Sequence, residues 1–183
     1  MSTLRNTHFE AVGSYLRPAA LKEARARFAA GEISTETLRE VEDREIADVV
    51  AKQKACGLHY ITDGEFRRSY WHLDFMWGLN GVEHIELDHG YQFHGEETTH
   101  GSLRLTGRIS GENHPFIQDF LYVKQFEEDG VEAKLTIPAP AQFLAELFRG
   151  DNTRNTREYY PNTEELLQDI AAAYRTFFHE VYA

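Results

Sequence analysis

The sequence has a single cysteine, Cys56, among its 183 residues, which excludes an internal disulfide. It is also short of positive charge: 19 lysines and arginines stand against 30 aspartates and glutamates, for a net charge of −11 at pH 7. No basic stripe interrupts that balance. Binding to a nucleic-acid backbone, which needs clustered Lys and Arg, is therefore not expected. Long hydrophobic runs are missing as well. None approaches the ~18 residues that span a bilayer, so no membrane association is expected. The segment Met1 to His8 holds no apolar signal core. Together with the lack of a disulfide, this makes a reducing cytoplasm the expected compartment. Repeats, low-complexity tracts and linkers are absent too, so residues 1–183 are expected to form one domain.

What is there is a globular composition, 42% hydrophobic and 13% aromatic, laid out in periodic segments. Pro18 suits the first turn of a helix whose apolar positions are Leu21, Ala24 and Phe28 and which Gly31 closes. Ser34 or Thr35 can cap a second helix, with Leu38, Val41, Ile46, Val49 and Val50 on its buried stripe and Cys56-Gly57 at its end. Cys56 reads there as packing rather than as a nucleophile. A buried strand is expected over 58–62. Tyr70, Trp71, Phe75 and Trp77 then crowd around His72 and Asp74, and read as core sooner than as a ligand cage. Residues 81–110 change to a strand pattern, clearest where Leu103, Leu105 and Ile109 alternate with Arg104, Thr106 and Arg108. Weaker strands are expected at 82–87 and 91–93. Helix returns over 116–126 and 142–148, and Lys134 to Pro140 reads as a strand that stops at prolines. Residues 150–152 read as a loop. Asn162 with Glu165 has the form of a capping box ahead of a last helix carrying Leu166, Ile170, Tyr174, Phe177 and Val181.

Chemistry-bearing residues gather just after the 58–62 run, at Asp63-Gly64-Glu65-Phe66-Arg67-Arg68. In α/β folds ligands bind outside the carboxyl ends of parallel strands. Asp63 and Glu65 are two residues apart and project from one face if the strand continues. Two acids there are costly to bury unless paired or used. The plainer reading of Glu65 is a surface acid paired with Arg67 or Arg68, and of Gly13-Ser14 an ordinary turn into a helix. Arg17 and Arg68 read as structural partners of nearby acids. A hydrolytic acid pair is disfavoured, because neighbours on one strand seldom straddle a scissile bond. His84, His89, His94 and His100 recur in and beside an acid-rich stretch, without a tight ligand spacing such as His-Glu-x-x-His, and are expected to be exposed rather than metal-bound.

Val12-Gly13-Ser14-Tyr15-Leu16-Arg17-Pro18 and Asp63 to Arg68, taken with Trp71-His72-Leu73-Asp74-Phe75 and Thr136-Ile137-Pro138-Ala139-Pro140, resemble the catalytic domain of cobalamin-independent methionine synthase. The likeness is above all to its short single-barrel relatives in bacteria, and it runs over essentially the whole chain. It implies an α/β fold of the (β/α)8 TIM-barrel type. A full barrel needs about 250 residues, so the expectation is a partial barrel, the N-terminal half, with a β-hairpin excursion. It also implies an S-methyltransferase that moves a methyl group to the thiol of homocysteine to give methionine. By the resemblance, Val12, Gly13 and Ser14 present backbone groups to the carboxylate end of a homocysteine-like substrate, and Glu65 holds its ammonium group. Asp63, Arg17 and Arg68 are supporting residues, Asp63 standing where the longer family members commonly carry histidine.

The family holds the substrate thiol as a thiolate on zinc. Its ligands, histidine, cysteines and glutamate, come from later barrel strands for which this chain has no counterpart. The expectation is therefore a homocysteine-binding half-site without the zinc half-site, and a chain inactive on its own. Longer members also use an Arg-Cys pair in folate recognition. The comparable His100-Gly101-Ser102-Leu103-Arg104 lacks it, which leaves the methyl donor, folate included, open. The alternative is a non-catalytic remnant or interaction module of the same fold. A half barrel exposes edges and apolar faces, so it would self-associate or pair with a complementary chain.

Overall fold

The computed structural model describes residues 10–88, 90, 92, 93, 96, 97 and 100–183. Met1 to His8, Tyr91, His89 and His94, on which expectations were placed, lie outside the described residues. The architecture is mixed α/β. In chain order it runs α1 (Ala19–Ala29), α2 (Thr35–Ala55), β1 (Tyr60–Ile61), α3 (Leu73–Trp77), β2 (Asn80–Glu86), β3 (Gln92–Phe93), β4 (Glu96–Glu97), β5 (Gly101–Ser110), α4 (Pro115–Lys124), β6 (Glu132–Ala133), α5 (Pro140–Leu147), α6 (Asn152–Tyr159) and α7 (Thr163–Val181). No helix among the described residues is long and apolar enough to cross a membrane. Two compact units divide the chain. One takes the described residues up to Ser69 with Gln118–Thr136, and the other takes Tyr70–Ile117 with Ile137–Ala183.

The first unit is built around Leu21, Ile46, Val50, Ile61, Phe66 and Val123, all buried. Ser34 caps α2, its hydroxyl accepting from the Thr37 amide at 3.2 Å. Gly31, at φ +72°, turns the chain out of α1 as its sequence position requires. The inward face of α2 follows Glu42, Ile46, Val50 and Gln53. Cys56 lies past the last helical residue, exposed at the C-cap, so its reading as a packing residue is corrected. β1 pairs in parallel with β6, Tyr60 opposite Glu132 and Ile61 opposite Ala133. Two further bonds extend the ladder, Glu132 N–H to the His59 carbonyl and Lys134 N–H to the Ile61 carbonyl, both at 2.8 Å. The strand expected over Lys134 to Pro140 is thus paired only at its start. Pro138 and Pro140 have no N–H to give a ladder, and Pro140 instead opens α5.

In the second unit β2 and β5 form an antiparallel pair, with Val82 opposite Leu105 and Glu86 opposite Gly101. Leu103, Leu105 and Ile109 are buried while Arg104, Thr106 and Arg108 are exposed, as their alternation predicts. The register shifts between Asn80 and Val82. Phe75 lies at the centre of an aromatic cluster with His114, Phe116, Tyr174 and Phe177, ring centroids 4.5 to 5.7 Å away. Phe75 is therefore core, as expected, whereas Trp71 is 53% exposed. His84 is half exposed and pairs with Glu86 at 2.8 Å; His100 is exposed. α7 buries Leu166, Ile170, Ala173, Tyr174 and Phe177. Asn162 caps it by accepting from the Glu164 amide at 2.9 Å. Glu165 pairs with Arg108 at 3.1 Å.

The helix α6 was not expected. Its apolar periodicity is missing because its inward face is polar. Asn152 donates to the Glu146 carbonyl at 3.1 Å, Thr156 to that of Leu147 at 2.6 Å and Thr153 to that of Phe148 at 2.9 Å. These are carbonyls at the C-terminal end of α5, which have no acceptor role left inside their own helix.

Candidate functional site

The first unit brings the two quoted turns together. β1 stops at Ile61, and Thr62 is gripped by a side chain instead of a strand. Gln53 in the last turn of α2 donates to the Thr62 carbonyl at 2.8 Å and accepts from its amide at 3.0 Å. Gly64 and Glu65 then both take left-handed φ, +65° and +57°. Phe66 N–H closes the turn onto the Asp63 carbonyl at 3.3 Å. Asp63 and Glu65 consequently do not share a strand face. The Asp63 carboxylate accepts the Glu65 amide at 2.8 Å and so supports the turn from inside. Asp63 is 8% exposed, and burial pushes its carboxyl above the usual range, with the Arg68 guanidinium opposing the shift.

Glu65 is 5% exposed, and both of its carboxylate oxygens are engaged. The Ser14 hydroxyl donates to Oε2 at 2.5 Å. The Thr136 hydroxyl donates to Oε1 at 3.3 Å, and Arg68 Nη1 lies 3.4 Å from the same oxygen. Glu65 is thus paired with Arg68, one of the two arginines expected for it, but as a buried acid and not a surface one. Arg68 is itself anchored, its Nη2 donating to the Thr136 carbonyl at 2.8 Å. Arg67 points into a different set of partners: Glu42 at 2.9 Å, Asp43, Asp119 at 3.3 Å, and the Tyr122 ring at 5.3 Å.

On the other turn, Gly13 has φ +83° and open space where a Cβ would stand, and Val12 is 74% exposed. The backbone of Val12 to Ser14 is accordingly accessible. Tyr15 N–H donates to the Gly64 carbonyl at 3.1 Å. Arg17 Nη2 donates to the carbonyls of Glu65 at 3.0 Å and Arg68 at 2.7 Å. Arg17 was read as the partner of an acid; it binds backbone carbonyls instead. Ser14, Arg17, Asp63, Glu65 and Arg68 therefore converge, next to the open Val12-Gly13 backbone. Thr136 and Gln53 join them without having been assigned a role. Thr136 sat inside one of the resembling segments, so its position was marked but not its contact.

A buried carboxylate flanked by two hydroxyls and the Arg68 guanidinium, beside the Val12 to Ser14 backbone, offers groups of both signs to a small zwitterion. It is not suited to a metal. Among the described residues no group of three His, Cys, Asp or Glu side chains is placed to hold one, and Cys56 faces outward from a helix end. The residues described here do not fit a zinc ion.

The family model for the catalytic domain of cobalamin-independent synthases matches residues 7–100, a span that includes Val12 to Arg17 and Asp63 to Arg68. The chain belongs to the cobalamin-independent methionine synthase family. Similar members include the uncharacterized protein YxjH of Bacillus subtilis, 41% identical over 171 residues that make up 93% of this chain and 44% of that protein. The methionine synthase of Sulfurisphaera tokodaii is 27% identical over 165 residues, covering 87% and 44% of the two chains. A Listeria monocytogenes structure assigned as a vitamin-B12-independent methionine synthase superposes with a TM-score of 0.69 at 40% identity, over 92% of this chain and 47% of that one. The chain spans less than half the length of these relatives.

Proposed function

We propose that this chain carries the amino-acid-binding part of a homocysteine S-methyltransferase site. In this reading Glu65 receives the substrate ammonium, and the backbone of Val12, Gly13 and Ser14 meets its carboxylate. Asp63, Arg17 and Arg68 hold those groups in place. The reading rests on one observation above all: a carboxylate only 5% exposed, tied to Ser14 of the other quoted turn at 2.5 Å. A buried carboxylate that recognises an ammonium forms a charge-assisted bond about twice as strong as a neutral one. We read the parallel β1–β6 pair as belonging to the N-terminal half of a TIM-type barrel, a reading supported by the TM-score to the Listeria protein. Zinc activation of the thiol is left out of the proposal, because the described residues do not fit the metal. The site of action in this reading is the cytoplasm.

Calorimetric titration of the chain with L-homocysteine under reducing conditions tests the proposal. Binding should be seen, and Glu65→Gln should weaken it about thirtyfold, the equivalent of ~2 kcal/mol. 4-Sulfanylbutanoate keeps the thiol and carboxylate but lacks the ammonium, and should not compete. Equal affinity for the two compounds would sink the assignment of Glu65.

A second reading is a binding module that pairs with a chain supplying the remainder of the fold. Val12 at 74% and Leu16 at 88% exposure favour it, as does coverage of under half of the relatives. Co-expression with the part of YxjH that this chain does not match should then yield a stable complex. Recovery of two separate monomers would remove this reading.

A further inference from the structure

We infer that Arg17 is a positioning residue that fixes the backbone of Glu65 and thereby aims its carboxylate. The inference rests, for its effect on ligand binding, on the amino-acid site proposed above. Glu65 has φ +57°, a region that side chains beyond glycine, asparagine and aspartate rarely enter. Something must hold it there. Its N–H is taken by the Asp63 carboxylate at 2.8 Å, but Asp63 belongs to the same turn and moves with it. Its C=O accepts the Arg68 amide at 3.1 Å within the same segment, and from outside it accepts Arg17 Nη2 at 3.0 Å, across 48 residues of chain. The same nitrogen reaches the Arg68 carbonyl at 2.7 Å, so one guanidinium grips both ends of the segment that carries Glu65 and Arg68.

Arg17 and Ser14 stand on one short stretch of backbone, and Tyr15 between them donates to the Gly64 carbonyl at 3.1 Å. Ser14 bonds the Glu65 carboxylate while Arg17 bonds the Glu65 peptide. Side chain and main chain of one residue are therefore referenced to the same short segment. Arg25 offers the control. Its Nη1 donates to the Arg68 carbonyl at 2.9 Å, at the same segment end that Arg17 grips.

Nuclear magnetic resonance of the isotope-labelled chain reads the Glu65 φ directly through its amide couplings. Arg17→Gln should move Glu65 out of the positive-φ region, whereas Arg25→Gln should leave it there. In the calorimetric assay Arg17→Gln should weaken L-homocysteine about tenfold, ~1.4 kcal/mol. In a Glu65→Gln background the same change should add almost nothing, and Arg17→Lys should recover part of the loss. If Arg17→Gln does not fold, the Glu65 φ measured in Arg17→Lys decides. An unchanged φ overturns the inference whether or not any ligand binds. A shifted φ in a chain that binds no amino acid sustains the positioning role and overturns the proposed function instead.

Discussion

Ser14 donates its hydroxyl to Glu65 Oε2 at 2.5 Å, joining positions 51 residues apart in the sequence. This bond is the narrowest link between the two turns, since one partner is largely exposed and the other buried. Ser14→Ala leaves Oε2 without that donor, and a hydrogen bond to a charged group contributes about 1.5–3 kcal/mol when both partners are sequestered. With Ser14 open to solvent, water replaces part of the loss. Urea denaturation should therefore show a destabilisation of about 1 kcal/mol, with an unchanged m-value. No change in midpoint would mean that the two turns are held by the Tyr15 amide and the Arg17 guanidinium without help from Ser14.

Arg67 performs a different task from Arg68, although the two are adjacent in sequence. Its guanidinium is 5% exposed and surrounded by Glu42, Asp43 and Asp119. Burial raises the Glu42 carboxyl above its ordinary range, with Arg67 opposing that shift. Arg67→Met removes the buried partner of Glu42, leaving Asp119 and Asp43 to Arg39, and Glu42 to Arg25 at 4.0 Å; breaking a buried pair costs about 3–5 kcal/mol. Glu42 would then bind its proton more tightly in the folded than in the unfolded chain, so the penalty should grow as pH rises through the carboxylate range. Chemical denaturation at acidic and at neutral pH checks both size and sign; an equal loss at both would exclude Glu42 as the group responsible.

How far the site was legible follows from the kind of interaction involved. The turn at Gly13-Ser14 was visible because glycine beside serine favours one, and Asp63-Gly64-Glu65 was legible as the end of a buried strand but not as a reversal. Their mutual contact was not legible, because Arg17 acts on carbonyl groups, which every residue carries and no sequence distinguishes. The strand alternation of Leu103 to Ile109 and the stripe of α7 were readable since apolar burial leaves a period. The helix α6 left none, for its buried face is Asn152 and Thr156, held by hydrogen bonds to the end of α5. Cys56 was misread because the helix ends at Ala55, one residue before it could be buried as part of the stripe.

Asp63 supplies a pH-dependent test of the turn. Burial raises its carboxyl in the folded chain, so between the ordinary Asp value, about 3.9, and that raised value the native state keeps a proton the unfolded state has lost. Its contribution to stability is therefore fully present below the ordinary range and declines as pH rises through the window. Asp63→Asn retains an oxygen to accept the Glu65 amide and removes the titration. Thermal unfolding across pH should show the variant matching the parent at the acid end and exceeding it toward neutrality. Parallel curves would show that Asp63 is not the group whose charge is disfavoured.

Gly81 and Gly107 give a matched pair within the β2–β5 ladder. Gly81 occupies the register shift at φ +78°, and a Cβ there would lie 2.3 Å from the Arg108 carbonyl oxygen. The oxygen belongs to backbone and cannot swing aside as a flexible side chain would. Gly81→Ala therefore meets both a left-handed φ and a hard clash, and should cost about 3 kcal/mol. Gly107 has no positive φ, and the nearest atom to an added Cβ is the Gly81 Cα at 3.9 Å, an ordinary contact. Gly107→Ala should change stability by under ~1 kcal/mol, and reduced freedom of the unfolded chain favours the stabilising direction. Denaturation midpoints of the two variants, measured side by side, separate conformational need from mere position in the strand. Comparable losses at both sites would show that the ladder tolerates no side chain there at all, and that the register shift is not what demands glycine at position 81.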